Sequence, residues 1–337
     1  MSRIPLILGA GMWGYPGTRS RIQDLETAQK LIDVMLAHHH VGIDSAQNYG
    51  EGTSEKMIGA LDLKNQARVD TKIFPLHPGD HKAAHVKEAI KKSLVDLGTN
   101  KIRVFYLHNP DRATPFEQTL EAVNDLYKQG IFEEFGLSNF MSWEVAEIVG
   151  ICVRRGFIKP TVYQGIYNLL DRTPEGELFP CLRKFGIRFA AYSTLAGGYL
   201  TGKHLDTSPE AKAAAIEDKN SHYNPEWPTS WFYLTRYPPM AAAVSKLKAV
   251  ADKYDIPLTE VSYRWLQWHS AMIPGDQGVI LGASGVAQLE AAVLSSSKGP
   301  LPEEVVKACE QAWLEVRGVA KNYWLEGNIV QIISDTH

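Results

Sequence analysis

Val69-Asp70-Thr71-Lys72, a helical stripe from Val86 to Leu97, and then Val104-Phe105-Tyr106-Leu107 form the stretch that sets the architecture. The two outer runs are too short for helices. Between them Val86, Ala89, Ile90, Ser93, Leu94 and Leu97 recur at the spacing of one helix face. A strand, a crossover helix and a second strand in that order make a parallel pair, because the helix returns the chain to the end of the sheet where it started. Gly98 follows the stripe as a helix stop.

The same alternation extends in both directions. Short runs occur at Ile4–Leu8, Val41–Asp44, Phe135–Ser138, Val162–Gln164, Arg188–Tyr192 and Val279–Leu281. Phe116, Leu120, Val123 and Tyr127 form a second stripe; Val305, Cys309, Ala312, Trp313 and Val316 form a third. Gly130 and Gly186 follow helical patterns. About eight short buried strands separated by helices predict a (β/α)8 barrel. No linker or break in composition divides the chain, so residues 1–337 read as a single domain. One connection is long. His204 to Pro239 follows the seventh strand, and its second half is aromatic: Tyr223, Trp227, Trp231, Phe232, Tyr233 and Tyr237. It is expected at the C-terminal mouth of the barrel, as a substrate wall, a packed flap, or both.

Composition narrows the class. The chain is 45% apolar with a net charge of −3, which gives no footprint for nucleic acid or an acidic membrane surface. Cys152, Cys181 and Cys309 form no CxxC pair, so neither a zinc site nor a disulfide framework is indicated. No apolar run has the length of a membrane span, and the first residues lack a signal peptide's apolar stretch. These features predict a cytoplasmic protein.

Four titratable groups fall at or just past the ends of consecutive strands. Asp44 ends the second and Tyr49 follows it; Lys72 ends the third; His108 follows the fourth. Adjacent strand ends converge on one mouth. A free tyrosine has a pKa of about 10, so it needs help to act as an acid near neutrality. An ammonium neighbour lowers that value, and Asp44 compensates the charge of a buried lysine. His108 can orient a substrate oxygen. The cluster suits a carbonyl polarised by Tyr49 and His108 while a hydride arrives at carbon.

Gly42-Ile43-Asp44-Ser45-Ala46-Gln47-Asn48-Tyr49-Gly50, followed by Ser54-Glu55 and Gly59, resembles the aldo-keto reductase signature. Lys72, His108 and Gly136-Leu137-Ser138-Asn139 complete the resemblance. Trp143–Ile148, Pro160–Gly165, Leu178–Arg183 and Leu195–Gly198 look most like the aflatoxin-aldehyde reductase branch, which reduces aldehydes and dicarbonyls with NADPH. The resemblance implies a tetrad of Asp44, Tyr49, Lys72 and His108. It implies that Ser138, Asn139 and Gln164 hold a nicotinamide carboxamide, with Tyr192 stacked on the ring. Ser193, Leu195, Gly197, Gly198 and Lys203 would wrap the pyrophosphate. Ala283, Ser284, Gln288 and Ala291 would meet the adenosine end. Met12 and Trp13 would line the mouth beside cofactor and substrate, and Tyr233 and Arg236 would contact substrate, the arginine suiting a carboxylate-bearing aldehyde. The resembling branch is often dimeric, so a homodimer is the expected assembly.

The chain departs from the branch at several points. No Lys or Arg occurs from Gly282 to Ser297, where many members hold the 2′-phosphate of NADPH. Lys203 or a residue of the long loop is the candidate substitute, and NADH is left open. Ser221-His222-Tyr223 stands where relatives carry Gly-Arg-Phe, and Asn322-Tyr323-Trp324-Leu325 lacks an arginine expected there. The competing readings are a cofactor-sensing subunit, like the potassium-channel accessory subunits that share the tetrad, and a barrel isomerase or lyase. A start almost at the first strand argues against the former.

Other motifs carry less. Gly197–Lys203 nearly matches a P-loop but is followed by His204, without a hydroxyl for magnesium. His38-His39-His40 cannot converge on one ion from a helix; imidazolium at a helix C-terminus is the expected reading. Gly9-Ala10-Gly11 reads as the first barrel loop.

Overall fold

The computed structural model describes residues 1–99, 101–206, 208–227 and 229–325. Eight strands form a closed, all-parallel barrel in chain order: β1 Leu6–Gly9, β2 Gly42–Asp44, β3 Arg68–Ile73, β4 Ile102–Leu107, β5 Phe132–Ser138, β6 Val162–Ile166, β7 Arg188–Tyr192 and β8 Gly278–Leu281. β8 pairs back onto β1, Leu6 to Val279, which closes the ring. The chain therefore has the (β/α)8 architecture that its alternation predicts.

The expected strand cores are present, and the differences lie at their ends. β4 and β5 begin earlier than their apolar runs. Arg103 interrupts the first run, and Glu133 and Glu134 the second; these charges are matched by partners, Arg103 to Asp70 and Glu134 to Arg188.

Helices α1 Leu25–Ala37, α2 Ser54–Gly59, α3 Ala83–Leu97, α4 Phe116–Lys128, α5 Ser142–Arg155 and α6 Leu178–Phe185 alternate with β1 through β7. Asp24 caps α1 by accepting from the Thr27 amide at 2.7 Å. α3 buries Val86, Ile90, Ser93 and Leu97 against the barrel, and Gly98 ends it. Phe105, Phe135, Leu137 and Phe189 lie in the large shared core between strands and helices. The barrel interior carries its own small clusters, Ile7 with Ala190 and Ile280, and Val104 with Tyr106 and Val162.

The long connection after β7 is not a structureless loop. It contains α7 Pro209–Glu217 and α8 Ser230–Leu234, and leads into α9 Ala241–Asp252. Gly197–Lys203 forms tight 3-10 turns and does not enter a long helix as a P-loop would. The chain then continues through α10 Leu258–Trp268, α11 Val286–Ser296 and α12 Glu303–Val316. α12 buries Val305, Cys309, Ala312 and Val316, matching its stripe.

Among the described residues no helix is long and apolar enough to cross a membrane, and no group of three or more His, Cys, Asp or Glu is placed to hold a metal. The histidine triplet differs from its expected reading at His40. Burial lowers its pKa to about 4, so it is neutral at physiological pH rather than an imidazolium serving the helix end.

Candidate active site

β2, β3 and β4 end at one mouth, and residues at or just past their ends meet there. Lys72 is fully buried. Its Nζ donates to the Asp44 carboxylate at 2.8 Å, to the Ser45 carbonyl at 2.7 Å and to the Tyr49 hydroxyl at 3.4 Å. An ammonium has three protons and no acceptor, so all three directions are assigned. Asp44 accepts a further bond, 2.7 Å, from Gln164 Nε2. The His108 ring meets Tyr49 edge-on, centroids 5.6 Å apart, and Phe74 at 5.3 Å.

The Tyr49 backbone is fixed by a kinked turn over Tyr49–Gly52. Gly50 and Glu51 both adopt left-handed φ, 55° and 54°. A Cβ on Gly50 would lie 2.1 Å from the Trp13 carbonyl oxygen, so a Tyr-Gly pair is the sequence this turn requires. Ser54 donates to the Ala10 carbonyl at 3.0 Å, and Thr71, next to Lys72, donates to Glu55 at 2.5 Å. The Ser-Glu pair of the motif thus braces two strand ends.

The electrostatics differ from expectation at Tyr49. Burial is the largest influence, followed by the Asp44 charge and then Tyr233, and together they raise its pKa well above the ordinary tyrosine value. The phenol is held protonated, and Lys72 does not reverse this. Burial also pulls Lys72 below the ordinary lysine value, against the opposing pull of Asp44. Burial, then Lys72, hold His108 well below the ordinary histidine value, so its ring is neutral. The resting site is a neutral phenol and a neutral imidazole over an Asp–Lys ion pair.

A cleft of about 1110 Å³ runs from this cluster across the mouth. Asp44, Tyr49, His108, Met12, Asn139, Gln164, Tyr192, Ser193, Leu195, Gly197, Gly198, Lys203, Ala283, Ser284, Gln288 and Tyr233 all border it. The Asn139 amide is oriented from three sides: it donates to the His108 carbonyl at 2.9 Å and to Ser138 Oγ at 3.1 Å, and accepts from Tyr192 at 2.8 Å.

Five expected residues lie off the cleft wall, the first of them Lys72, buried beneath Tyr49. Trp13 is fully buried behind the wall, bridged to Ile22. Ser138 is fully buried, and its Oγ accepts from the Asn139 amide. Ala291 is exposed on α11. Arg236 is 4% exposed: its guanidinium binds Asp171 Oδ2 at 2.6 Å and the carbonyls of Lys321 and Asn322 at 3.2 and 2.8 Å, against the Phe232 ring. This arginine, expected to meet a substrate carboxylate, compensates a buried aspartate instead.

The aromatic connection is divided between packing and cleft lining. Tyr223 and Tyr237 are buried packing, whereas Trp227, Trp231, Phe232 and Tyr233 border the cleft. The wall also includes Phe74, Arg19, Arg21 and His222, which sequence reading did not assign. Phe74 was accessible by periodicity, since it continues the alternation of Asp70 and Lys72. Arg19 and Arg21 were not, because their place depends on a distant segment. Arg21 pairs with Asp218 at 2.7 Å, Arg19 donates to the Glu226 carbonyl at 3.2 Å, and Asn220 donates to the Ser20 carbonyl at 3.2 Å. These bonds tie the first barrel loop to the long connection.

The aldo/keto reductase family model matches residues 6–314, nearly the whole barrel. The chain belongs to the aldo/keto reductase family. Its relatives include an aldo-keto reductase of Pseudocercospora fijiensis, 39% identical over 296 residues (85% of this chain, 97% of the relative). Human aldo-keto reductase family 7 member A3 is 36% identical over 330 residues (96% and 98%). Human aflatoxin B1 aldehyde reductase member 2 is 36% identical over 333 residues (96% and 90%). This aldo/keto reductase is an oxidoreductase of the aldehyde and ketone reductase kind, in a family that uses nicotinamide cofactors and small carbonyl substrates.

Proposed function

We propose that this aldo/keto reductase reduces an uncharged aldehyde or ketone with NADPH, and that Tyr49 gives the proton. The observation that carries this reading is the Lys72 ammonium, whose three protons go to Asp44, to the Ser45 carbonyl and to the Tyr49 hydroxyl. The third bond places positive charge on the oxygen that becomes a phenolate when Tyr49 gives up its proton. A bond that strengthens as charge develops is the kind that lowers a barrier. Tyr49 starts protonated, as a donor must. The neutral His108 ring has an N–H to offer a carbonyl oxygen, and its position edge-on to Tyr49 lets both groups address one oxygen atom.

The cleft fits a dinucleotide beside a substrate. Its volume exceeds the usual range for one drug-sized ligand, roughly 300–1,000 Å³. Ser193, Ala196, Gly197 and Gly198 all adopt left-handed φ, and such runs build the concave rows of backbone amides that bind oxyanions. A Cβ on Gly198 would meet nothing within 4 Å, so the backbone is open to close approach there. Asn139 and Gln164 supply a carboxamide partner on one side and Ser284 and Gln288 border the other end. The bound nicotinamide supplies the hydride. Lys203 on the wall is the cation we assign to the 2′-phosphate, which favours NADPH. Met12, Phe74, Trp227, Trp231 and Phe232 give the substrate end an apolar, aromatic lining. We read residues 1–337 as one domain, and the buried, free Cys152 and Cys309 as suited to a reducing cytoplasm.

The test is an absorbance assay with NADPH and a panel of aldehydes. Cofactor oxidation is expected only when a carbonyl is present, and at least about tenfold slower with NADH at equal subsaturating concentration, the loss of one charged contact. Cofactor binding without turnover of any reactive aldehyde would remove the catalytic reading.

A further inference from the structure

A second ion pair lies deeper in the barrel, below the tetrad. Asp70 precedes Lys72 by two residues on β3, so both leave the same face of the strand. It also stands in register with Asp44 on β2. Asp70 is 1% exposed. Arg103 of β4 grips it through a two-bond fork, Nε to Oδ1 at 2.6 Å and Nη2 to Oδ2 at 2.5 Å. Two carboxylates side by side in a buried sheet resist joint ionisation unless each has a cation. Here Asp44 has Lys72 and Asp70 has Arg103, so four charges alternate in sign.

We propose that Asp70 and Arg103 are positioning residues for the proposed proton transfer: Asp70 places a second negative charge near the Lys72 ammonium, and Arg103 keeps Asp70 ionised, so that Lys72 stays charged beneath Tyr49. Neither touches substrate or cofactor. Burial works against the charge of Lys72; Asp44 opposes this most, and Asp70 and Glu55 add to it. Tyr49 and His108 sit toward the mouth. Tyr106 lies beside Lys72 on β4, its centroid 5.9 Å from Nζ. Glu55 reaches β3 through Thr71, and Glu134 of β5 is paired with Arg188 of β7 near Arg103. Stability alone gives little reason to keep such a pair, since apolar residues of similar volume often do as well. Its placement beside Asp44 and Lys72 is what ties it to the chemistry.

The proposal rests on Tyr49 as proton donor, so the test has one readout that needs no turnover. The first is the alkaline limb of kcat for aldehyde reduction, which reports the first deprotonation of the coupled Tyr49–Lys72 pair. The second is the titration of the Lys72 side-chain signal in NMR of isotope-labelled lysine, identified by its absence from Lys72→Met. Asp70→Asn removes a negative charge and leaves Arg103, so both readouts are expected to move down by about one pH unit. Asp70→Asn/Arg103→Met removes both charges, and because Asp70 rather than Arg103 is the charge that acts on Lys72, both readouts are still expected to fall, by less than in the single variant. Arg103 is part-exposed and can turn toward Glu134 when its partner is lost. Should the single variant not fold, Asp70→Asn/Arg103→Lys replaces it, with the same expected shift relative to the parent. An unmoved Lys72 signal in the variant that retains the cation overturns the proposal, as does a neutral double variant whose readouts stay at the parent values. If the parent reduces no aldehyde, the rate readout falls with the proposed reaction, while the NMR titration still decides the role of the pair.

Discussion

Tyr49→Phe is expected to lower kcat for aldehyde reduction by about 10³-fold, within the range by which positioned acids accelerate proton transfer, while leaving cofactor affinity and stability almost unchanged. The substitution keeps the ring, and with it the edge-on contact to His108. It removes one atom, the oxygen that Lys72 reaches at 3.4 Å. Lys72 keeps its shorter bonds to Asp44 and Ser45, so its charge remains compensated. Gln164 and Asn139 keep their partners, so the groups assigned to the carboxamide do not move. Rapid-mixing kinetics and calorimetric titration with NADPH separate the two effects. Retained turnover would show that the proton comes from elsewhere. Lost cofactor binding would show that Tyr49 shapes the groove rather than the reaction.

Arg236→Met is expected to cost about 3–5 kcal/mol of folding stability, the usual penalty for stranding one member of a buried ion pair. Asp171 is fully buried, and Arg236 is its cation. Burial already raises Asp171 above the ordinary carboxylate value, with Arg236 pulling the other way. Removing the arginine raises it further. The folded state then holds a proton that the unfolded chain releases, so folding weakens as pH rises through the folded-state pKa. The deficit is therefore largest near neutrality and shrinks on acidification. Urea unfolding at neutral and mildly acidic pH measures it. A variant of normal stability that has lost affinity only for carboxylate-bearing aldehydes would return Arg236 to the substrate site.

That contrast shows what the sequence could reveal. The barrel was legible because each βα unit repeats one pattern, a short buried run followed by a stripe, and the three strands that carry Asp44, Lys72 and Leu107 at or near their ends needed only correct order to bring the tetrad together. Much of the cleft was legible through family motifs whose local reasons the structure supplies: Gly50 against the Trp13 carbonyl, Glu55 on Thr71, Asn139 held by His108 and Tyr192. What stayed hidden depends on partners far apart in the chain. Nothing near Arg236 identifies Asp171, 65 residues away, as its partner. Nothing near Arg21 points to Asp218. The direction of the Tyr49 shift was misjudged because a charge neighbour is visible in a motif, whereas the depth of burial that outweighs it is a property of the assembled mouth. Asp70 and Arg103 look in the sequence like ordinary strand polar residues; only the register with Asp44 gives them meaning.

The central claim is hydride transfer to a carbonyl carbon, completed by a proton from Tyr49. Reduction of an aldehyde with NADPH carrying deuterium on the transferring face of the nicotinamide, followed by mass spectrometry of the alcohol, tests it most directly. The account predicts one deuterium on the carbinol carbon, none on oxygen after exchange, and no labelled alcohol from Tyr49→Phe on the same timescale. An alcohol formed without deuterium on carbon from either face of the labelled cofactor, or labelled alcohol formed at the parent rate by Tyr49→Phe, would contradict it.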